Sequence, residues 1–242
     1  MALFPRNMRH SGQIVREGYH MKNILNVAHR GFHLNYPDNT LEAFKSAIDL
    51  GVDGIEMDIQ ETADGAFVVF HDRKLNGVDV INLPLSDIRN VWLQDEYEIP
   101  TLEQALDLCN QKLKLFIELK IVKSLEKLLK ILTEKAAMQN NMVLSFNESL
   151  LADISQLSSY ISTAHITAFP FGDVVKLAIS ARCKGMIVLY PFINERLLEK
   201  TRANGLSVYV WGCPDIEAAR KAMQLDIDGI ITDFPHMVKE QT

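Results

Sequence analysis

Several residues in this chain stand at spacings that chemistry can use. His29 and Arg30 are adjacent in "NVAHRG", Glu56 and Asp58 are two apart in "GIEMDI", Glu118 and Lys120 are two apart in "FIELK", and His71 closes the run "VVFHD". On a strand, residues i and i+2 point to one face. Glu56 with Asp58, and Glu118 with Lys120, therefore share a face, while Ile55, Met57, Ile117 and Leu119 take the other. Carboxylates on the inner face of a buried strand are costly unless paired or bound to a cation. Three of them, Glu56, Asp58 and Glu118, offer hard oxygen ligands suited to Mg²⁺ or Ca²⁺. The alternative is a salt-bridge cluster with Arg30 and Lys120. Counting those two cations, the group keeps one negative charge and repels a phosphate ester. A divalent ion reverses the sign, attracts a phosphodiester anion and polarises a phosphoryl oxygen. His29 and His71 supply two imidazoles, a group that can carry or give up a proton under ordinary conditions. One neutral and one protonated imidazole would be equipped for acid–base cleavage of a P–O bond.

These residues need elements to carry them. From residue 23 onward, eight short runs rich in Val, Ile and Leu read as strands buried on both faces: "ILNVAH", "DGIEMDI", "LKLFIEL", "MVLSF", "ISTAHIT", "GMIVL", "LSVYVW" and "DGIITD". Amphipathic segments alternate with them, over Thr40 to Leu50, Leu102 to Leu108, Ser124 to Ala137, Glu148 to Leu157, Val174 to Ala181, Glu195 to Ala203 and Ile216 to Met223. Asn39 with Glu42 has the spacing of a capping box. Asp215 suits the cap of the segment it precedes. Gly51, Gly185 and Gly205 stand where helices should stop. Eight such units predict an α/β fold, a closed (β/α)8 TIM barrel over 23–242, with a short insertion after the second strand. Within the insertion, "GAFVVFHD" reads as an extra strand returning through the turn "TADG", and the rest as loop and a short helix. An open doubly wound sheet is the structural alternative, but no Gly-rich loop follows the first strand. In a barrel, catalytic groups sit at the C-terminal ends of strands. His29 and Arg30 end the first strand, Glu56 and Asp58 the second, Glu118 and Lys120 the third, Trp211 the seventh and Asp233 the eighth.

The chain has 242 residues, 48% of them hydrophobic, enough for one sizeable core, and a formal net charge of −6. That charge argues against broad attraction to nucleic acid, so an anionic ligand needs a local site. No apolar run approaches the roughly 20 residues of a membrane span. Residues 1–22 show no signal-peptide core and read as a loose N-terminal extension. Cys109, Cys183 and Cys213 form no CxxC pair and no zinc spacing; free buried thiols in a reducing, cytoplasmic compartment are expected. His33 is expected at the mouth of the site, His165 in the core or rim and His236 at a surface helix start. His10 and His20 receive no role.

The motifs "AHRG", "PDNTLEAF", "GVDGIEMDIQETADGAFVVFHD", "IPTLEQAL", "FIELK", "LSFN", "VYVW" and "DGIITDFP" follow one another in this order. Together they closely resemble the glycerophosphodiester phosphodiesterase family, over about residues 24 to 236. The resemblance implies a metal-dependent TIM barrel that splits glycerophosphodiesters into an alcohol and sn-glycerol 3-phosphate. It implies His29 and His71 as the acid–base pair, Arg30 and Lys120 as phosphate-binding groups and Trp211 as a wall of the pocket. Glu56, Asp58 and Glu118 would hold the divalent ion, Mg²⁺ or Ca²⁺. The partner expected is a small-molecule glycerophosphodiester, without nucleic acid or a membrane span; a homo-oligomer is compatible with the sequence. Related readings are a phosphodiesterase acting on lysophospholipids or other diesters, and a non-catalytic family member, whose mark would be a missing histidine or ligand. The chain departs from the family pattern in Asp38, where Glu is usual, in "RKLNGVDVIN" after His71 and Asp72, and in Gly212 and Cys213 after Trp211. These positions bear on how the glycerol and the leaving alcohol are read. The short insertion implies no large cap over the site.

Overall fold

The computed structural model describes residues 24–239 other than 136, 138, 139, 170 and 171. The extension expected over 1–22 lies outside the described residues. Each of the eight apolar runs forms a strand: β1 (Leu25–Ala28), β2 (Gly54–Glu61), β3 (Lys114–Ile121), β4 (Met142–Ser145), β5 (Ser162–Thr167), β6 (Gly185–Leu189), β7 (Ser207–Trp211) and β8 (Gly229–Thr232). Neighbours in this order pair in parallel, and β8 pairs with β1, so the sheet closes into a barrel. Closure is uneven. Strand β1 shares four register pairs with β8, from Leu25 opposite Gly229 to Ala28 opposite Thr232, but only Val27 opposite Gly54 and Ala28 opposite Ile55 with β2. Side-chain bonds strengthen the seam. The Asn26 amide donates to the Pro235 carbonyl at 2.8 Å, and the Asn26 backbone N–H donates to the Asp53 carboxylate at 2.8 Å.

Helices cover the outside: α1 (Leu41–Leu50), α2 (Leu102–Cys109), α3 (Leu125–Glu134), α4 (Glu148–Leu157), α5 (Val174–Ser180), α6 (Glu195–Ala203), α7 (Ile216–Ala222) and α8 (Pro235–Lys239). The strands are buried on both faces because each face meets a different layer. Ile55, Met57, Ile117 and Leu119 join the outer layer, where Phe44 of α1 and Leu102 and Leu106 of α2 are also buried. Val27, Phe116, Leu144, Ile166, Ile187, Tyr209 and Ile231 fill the barrel itself. At about 1.5–3 kcal/mol for each large aliphatic or aromatic side chain removed from water, these two layers are the main force holding the fold.

Local signals explain most helix ends. Asp215 caps α7 by accepting from the Ala218 N–H, as expected, and Gly51 ends α1 in the left-handed region at φ 74°. Three expectations are corrected. The capping box at Asn39 and Glu42 does not form: Thr40 is the N-cap of α1, accepting from Ala43 N–H at 3.3 Å, and Asn39 is turned to other work. Gly185 stops no helix. It opens β6, where a Cβ would lie 2.4 Å from Ser207 Oγ, so its missing side chain serves strand packing; the turn after α5 instead has Arg182 at φ 57°. Helix α3 ends at Glu134, short of the expected Ala137.

In the insertion, Phe67–Val69 runs back antiparallel to the end of β2, as expected, and so brings His71 to the barrel mouth. The remainder contains the short helix Leu85–Ile88, with two hairpins of two-residue strands that the sequence reading took for loop. Its apolar residues Val68, Leu75, Val80, Ile88 and Ile99 make a small cluster of their own, so the segment is a packed flank rather than a cap. Among the described residues no helix is long and apolar enough to cross a membrane.

Candidate active site at the barrel mouth

A cavity of about 170 Å³ opens at the C-terminal ends of the strands. His29, Arg30, Glu56, His71, Glu118, Lys120 and Trp211 all line it. Asp58, the remaining predicted residue, lies beneath them, 1% exposed, and touches Arg30, Lys120 and Asn39. All eight predicted site residues are therefore gathered at one end of the barrel.

Arg30 reaches this position through a left-handed turn at φ 54°. Gly31 follows at φ 85°, where a Cβ would lie 2.8 Å from the Ala43 backbone, so the chain turns here against the start of α1. Arg30 Nη1 donates to Asp38 Oδ2 at 2.7 Å, and its backbone N–H donates to Glu56 Oε2 at 3.1 Å. Its Nε lies 3.2 Å from Asp58 Oδ2 but is aimed off line, so that contact is one of charge rather than a hydrogen bond. Lys120 Nζ bridges Glu118 Oε1 at 2.6 Å and Asp58 Oδ1 at 3.1 Å. Asn39, at φ 59°, donates to Asp58 Oδ2 at 2.8 Å and accepts from the Asp58 backbone N–H at 3.2 Å.

The carboxylates respond differently to these surroundings. Burial pushes Glu56 well above the usual glutamate range, and the charges of Asp58 and Glu118 push the same way. Burial also raises Glu118, against the pull of Lys120. Burial opposes ionisation of Asp58 too, but Lys120, Arg30 and the Asn39 amide outweigh it and hold its carboxyl below the usual range. Ligand oxygens of Glu56, Asp58 and Glu118 lie within 4.8 Å of one another. Glu56 Oε1 is buried with no hydrogen-bond partner. A buried carboxylate oxygen without a donor is costly. A divalent cation among these three side chains supplies what it lacks, so the residues present fit such an ion.

The two histidines are built alike. His29 Nδ1 lies 2.7 Å from Asp233 Oδ1, and His71 Nδ1 lies 2.8 Å from Asp72 Oδ1. An ionised carboxylate only accepts, so each Nδ1 carries a proton and each Nε2 is left to accept or give one. His29 Nε2 is 3.8 Å from Glu56 Oε2. Burial raises the Asp233 carboxyl, but the bond from His29 and the nearby positive charge of Arg30 outweigh it and hold it below the usual aspartate range. His33 does reach the mouth, with Nε2 3.6 Å from the same Asp233 oxygen; burial lowers its pKa. His165 is buried in β5, and His236 sits in α8, its ring 5.3 Å from that of Phe32.

Sequence reasoning missed four of the polar contacts. Asp233 was placed at a strand end without a task, Asn39 was read as a cap, and Asp38 and Asp72 were given no partner. The aromatic Phe146, which also lines the cavity, had a signal: it follows β4 directly, in the same strand-end position as the charged residues. Asn39 offers a direct test. Asn39→Ala strands a buried carboxylate without its amide and is expected to cost about 1–3 kcal/mol. Thermal unfolding reads this, and an unchanged midpoint would mean that Asp58 finds another donor.

The model described as the glycerophosphoryl diester phosphodiesterase family matches residues 29–237. A glycerophosphodiester phosphodiesterase of Caldanaerobacter subterraneus subsp. tengcongensis is 29% identical over 234 residues, 89% of this chain and 96% of its own. The solved structure of a glycerophosphodiester phosphodiesterase of Thermotoga maritima is similar with a TM-score of 0.78 at 27% identity, over 92% of this chain and 100% of its own. An Oleispira antarctica phosphodiesterase, solved in complex with the product sn-glycerol-3-phosphate, shares the fold with a TM-score of 0.80 at 23% identity, over 88% of this chain and 94% of its own.

Proposed function

Because the chain belongs to the glycerophosphoryl diester phosphodiesterase family, we propose that it hydrolyses glycerophosphodiesters to sn-glycerol 3-phosphate and an alcohol, with His29 and His71 as the acid–base pair. The observation that carries this reading is the meeting of two carboxylate-held imidazoles and three buried carboxylates around one small cavity. Arg30 and Lys120 supply fixed positive charge for the phosphate. Asp233 and Asp72 hold the imidazoles with Nε2 available. One neutral imidazole takes the proton of the glycerol hydroxyl beside the phosphate as that oxygen attacks phosphorus; the other, protonated, gives its proton to the departing alcohol. Water then opens the cyclic phosphate with the two roles exchanged. Glu56, Asp58 and Glu118 would hold a divalent ion, Mg²⁺ or Ca²⁺, which when bound would polarise a phosphoryl oxygen and offset the negative charge of the cluster. The same reading places the enzyme in the cytoplasm, supported by three cysteines that are all free and buried, with the Cys109 and Cys213 thiols pushed up to about 12 by burial.

The test is turnover of glycerophosphocholine with Mg²⁺ or Ca²⁺, read as released glycerol phosphate and choline. Absence of turnover across a panel of head groups and both ions would leave a binding protein in place of an enzyme. Trp211 gives a finer check. Its half-buried ring lines the cavity and meets Phe146 edge-on at 6.2 Å. Trp211→Ala is expected to raise KM by about tenfold, equivalent to about 1.4 kcal/mol for the lost apolar contact. A lowered melting temperature with unchanged KM would assign the ring to the core instead.

A further inference from the structure

The two imidazoles of the site are placed by different means. His29 and Asp233 follow strands that pair with each other, so barrel closure brings them together. His71 and Asp72 are neighbours in sequence just past Phe67–Val69, in a stretch outside any strand or helix, and the Asp72 side chain is 73% exposed. Something else must fix the backbone there. The Phe70 N–H donates to the Asp58 carbonyl at 3.0 Å, which ties the segment to β2 on the side before His71. The second tie is a side chain. Gln60 Nε2 donates to the carbonyl of Phe70 and to the carbonyl of Asp72, each at 2.8 Å. The first carbonyl belongs to the peptide plane that enters His71, and the second to the plane that leaves Asp72. One amide therefore brackets both members of the imidazole–carboxylate pair.

Gln60 belongs to β2, in the alternation that carries Glu56 and Asp58, and it is 0% exposed. A carboxamide nitrogen has two N–H donors, and both are used on these carbonyls. An amide oxygen could not stand there, because a carbonyl only accepts. Oε1 of the same side chain is buried with no hydrogen-bond partner. Leaving a buried amide oxygen bare is costly, and an apolar side chain of the same length would fill the position without that cost. What the amide holds offsets it. Resting on the phosphodiesterase reading above, we propose that Gln60 is a positioning residue for the acid–base step: its amide fixes the backbone around His71 and Asp72, and with it the direction of the imidazole and of the carboxylate that holds Nδ1. Because Gln60 shares β2 with Glu56 and Asp58, the same clamp sets the imidazole against the carboxylate cluster, although the insertion carries it. Gln60 itself moves no proton, and the chemistry of the step is unchanged.

The experiment follows choline release from glycerophosphocholine by the full-length protein with divalent metal present. Gln60→Met keeps the length of the side chain and removes both donors. It is expected to lower kcat about 10- to 10²-fold with KM within about twofold of wild type, the effect of misplacing a reacting group by about an ångström. Gln60→Asn draws the amide back by one methylene and should show the same split at smaller size, which keeps the test open if the methionine variant does not fold. Two backgrounds separate positioning from general damage. In His71→Ala, Gln60→Met should cost nothing further, because the group it places is gone. In Trp211→Ala, on β7, the full loss should return. Proton NMR gives a readout independent of turnover: the Nδ1 proton of His71, identified by its disappearance in His71→Ala, should be lost or shifted in Gln60→Met while that of His29 stays. Wild-type kcat in Gln60→Met, an equal loss in both backgrounds, or an unmoved His71 proton overturns this proposal alone and leaves Gln60 to strand packing. No turnover by the wild type with any head group overturns the phosphodiesterase reading and the proposal with it.

Discussion

His29→Ala and His71→Ala are each expected to lower kcat/KM by about 10²–10⁴-fold, the usual range for losing a positioned proton-transfer group. The double variant should lose far less than the product of the two, because a proton cycle with either half missing is already broken. Wild-type kcat/KM should follow a bell-shaped pH profile, since one imidazole must be neutral while the other is charged. The geometry makes the two sites unequal. His29 is held by Asp233, whose position is fixed by β8, while His71 is held by Asp72 from the adjacent residue of an exposed loop. Asp233→Asn should therefore hurt more than Asp72→Asn. A His71→Ala enzyme with near-normal turnover would remove this residue from the proton cycle. A diester without the neighbouring hydroxyl, cleaved as fast as the glycerol compound, would favour direct attack by water over the cyclic route.

Chelation is expected to abolish turnover, and Mg²⁺ or Ca²⁺ to restore it. Glu56→Gln should cost at least about 10²-fold in activity, equivalent to several kcal/mol of charge stabilisation. Stability gives an independent readout. In the metal-free protein, Glu56 and Glu118 have folded pKa values raised above the ordinary 4.5. The folded state then binds more protons than the unfolded state, so stability falls as pH rises from that value through the raised ones. Asp58 acts in the opposite sense, because its folded pKa is lowered; its contribution is lost as pH falls through that value. Melting of the chelated protein should thus show a decline with rising pH that added divalent ion largely removes, and Glu56→Gln should flatten the decline without any ion. A melting temperature indifferent to the ion at neutral pH, together with full activity after metal stripping, would return these residues to the salt-bridge interpretation.

The eight strands were legible because each is apolar on both faces, a pattern that survives without knowledge of the neighbours. The predicted site residues were legible for a related reason: a charge at the end of such a run has no structural purpose that local sequence supplies. Contacts made at a distance were not legible. Asn39 stands just before a helix, where asparagine is a favoured cap, and nothing nearby points to Asp58 across nineteen residues. Asp233 depends on barrel closure to meet His29, 204 residues away in sequence. The two small hairpins escaped because strands of two residues carry no period. Gly185 was misread because a glycine between a helix and a strand serves equally well as a stop or as a place where two strands approach closely.

The seam between the first and last strands also sets the order of events during synthesis. His29 leaves the ribosome early, yet its carboxylate partner, and the carbonyl that receives Asn26, arrive only with residues 233 and 235. Until then β1 has just its two-pair register with β2, and its other edge is open to any passing strand. A nascent chain that already carries the carboxylates and both histidines is therefore expected to have little activity until Asp233 arrives. Activity is then expected to appear when the ring closes rather than to accumulate with length, and the appearance of turnover in a translation reaction would time that closure.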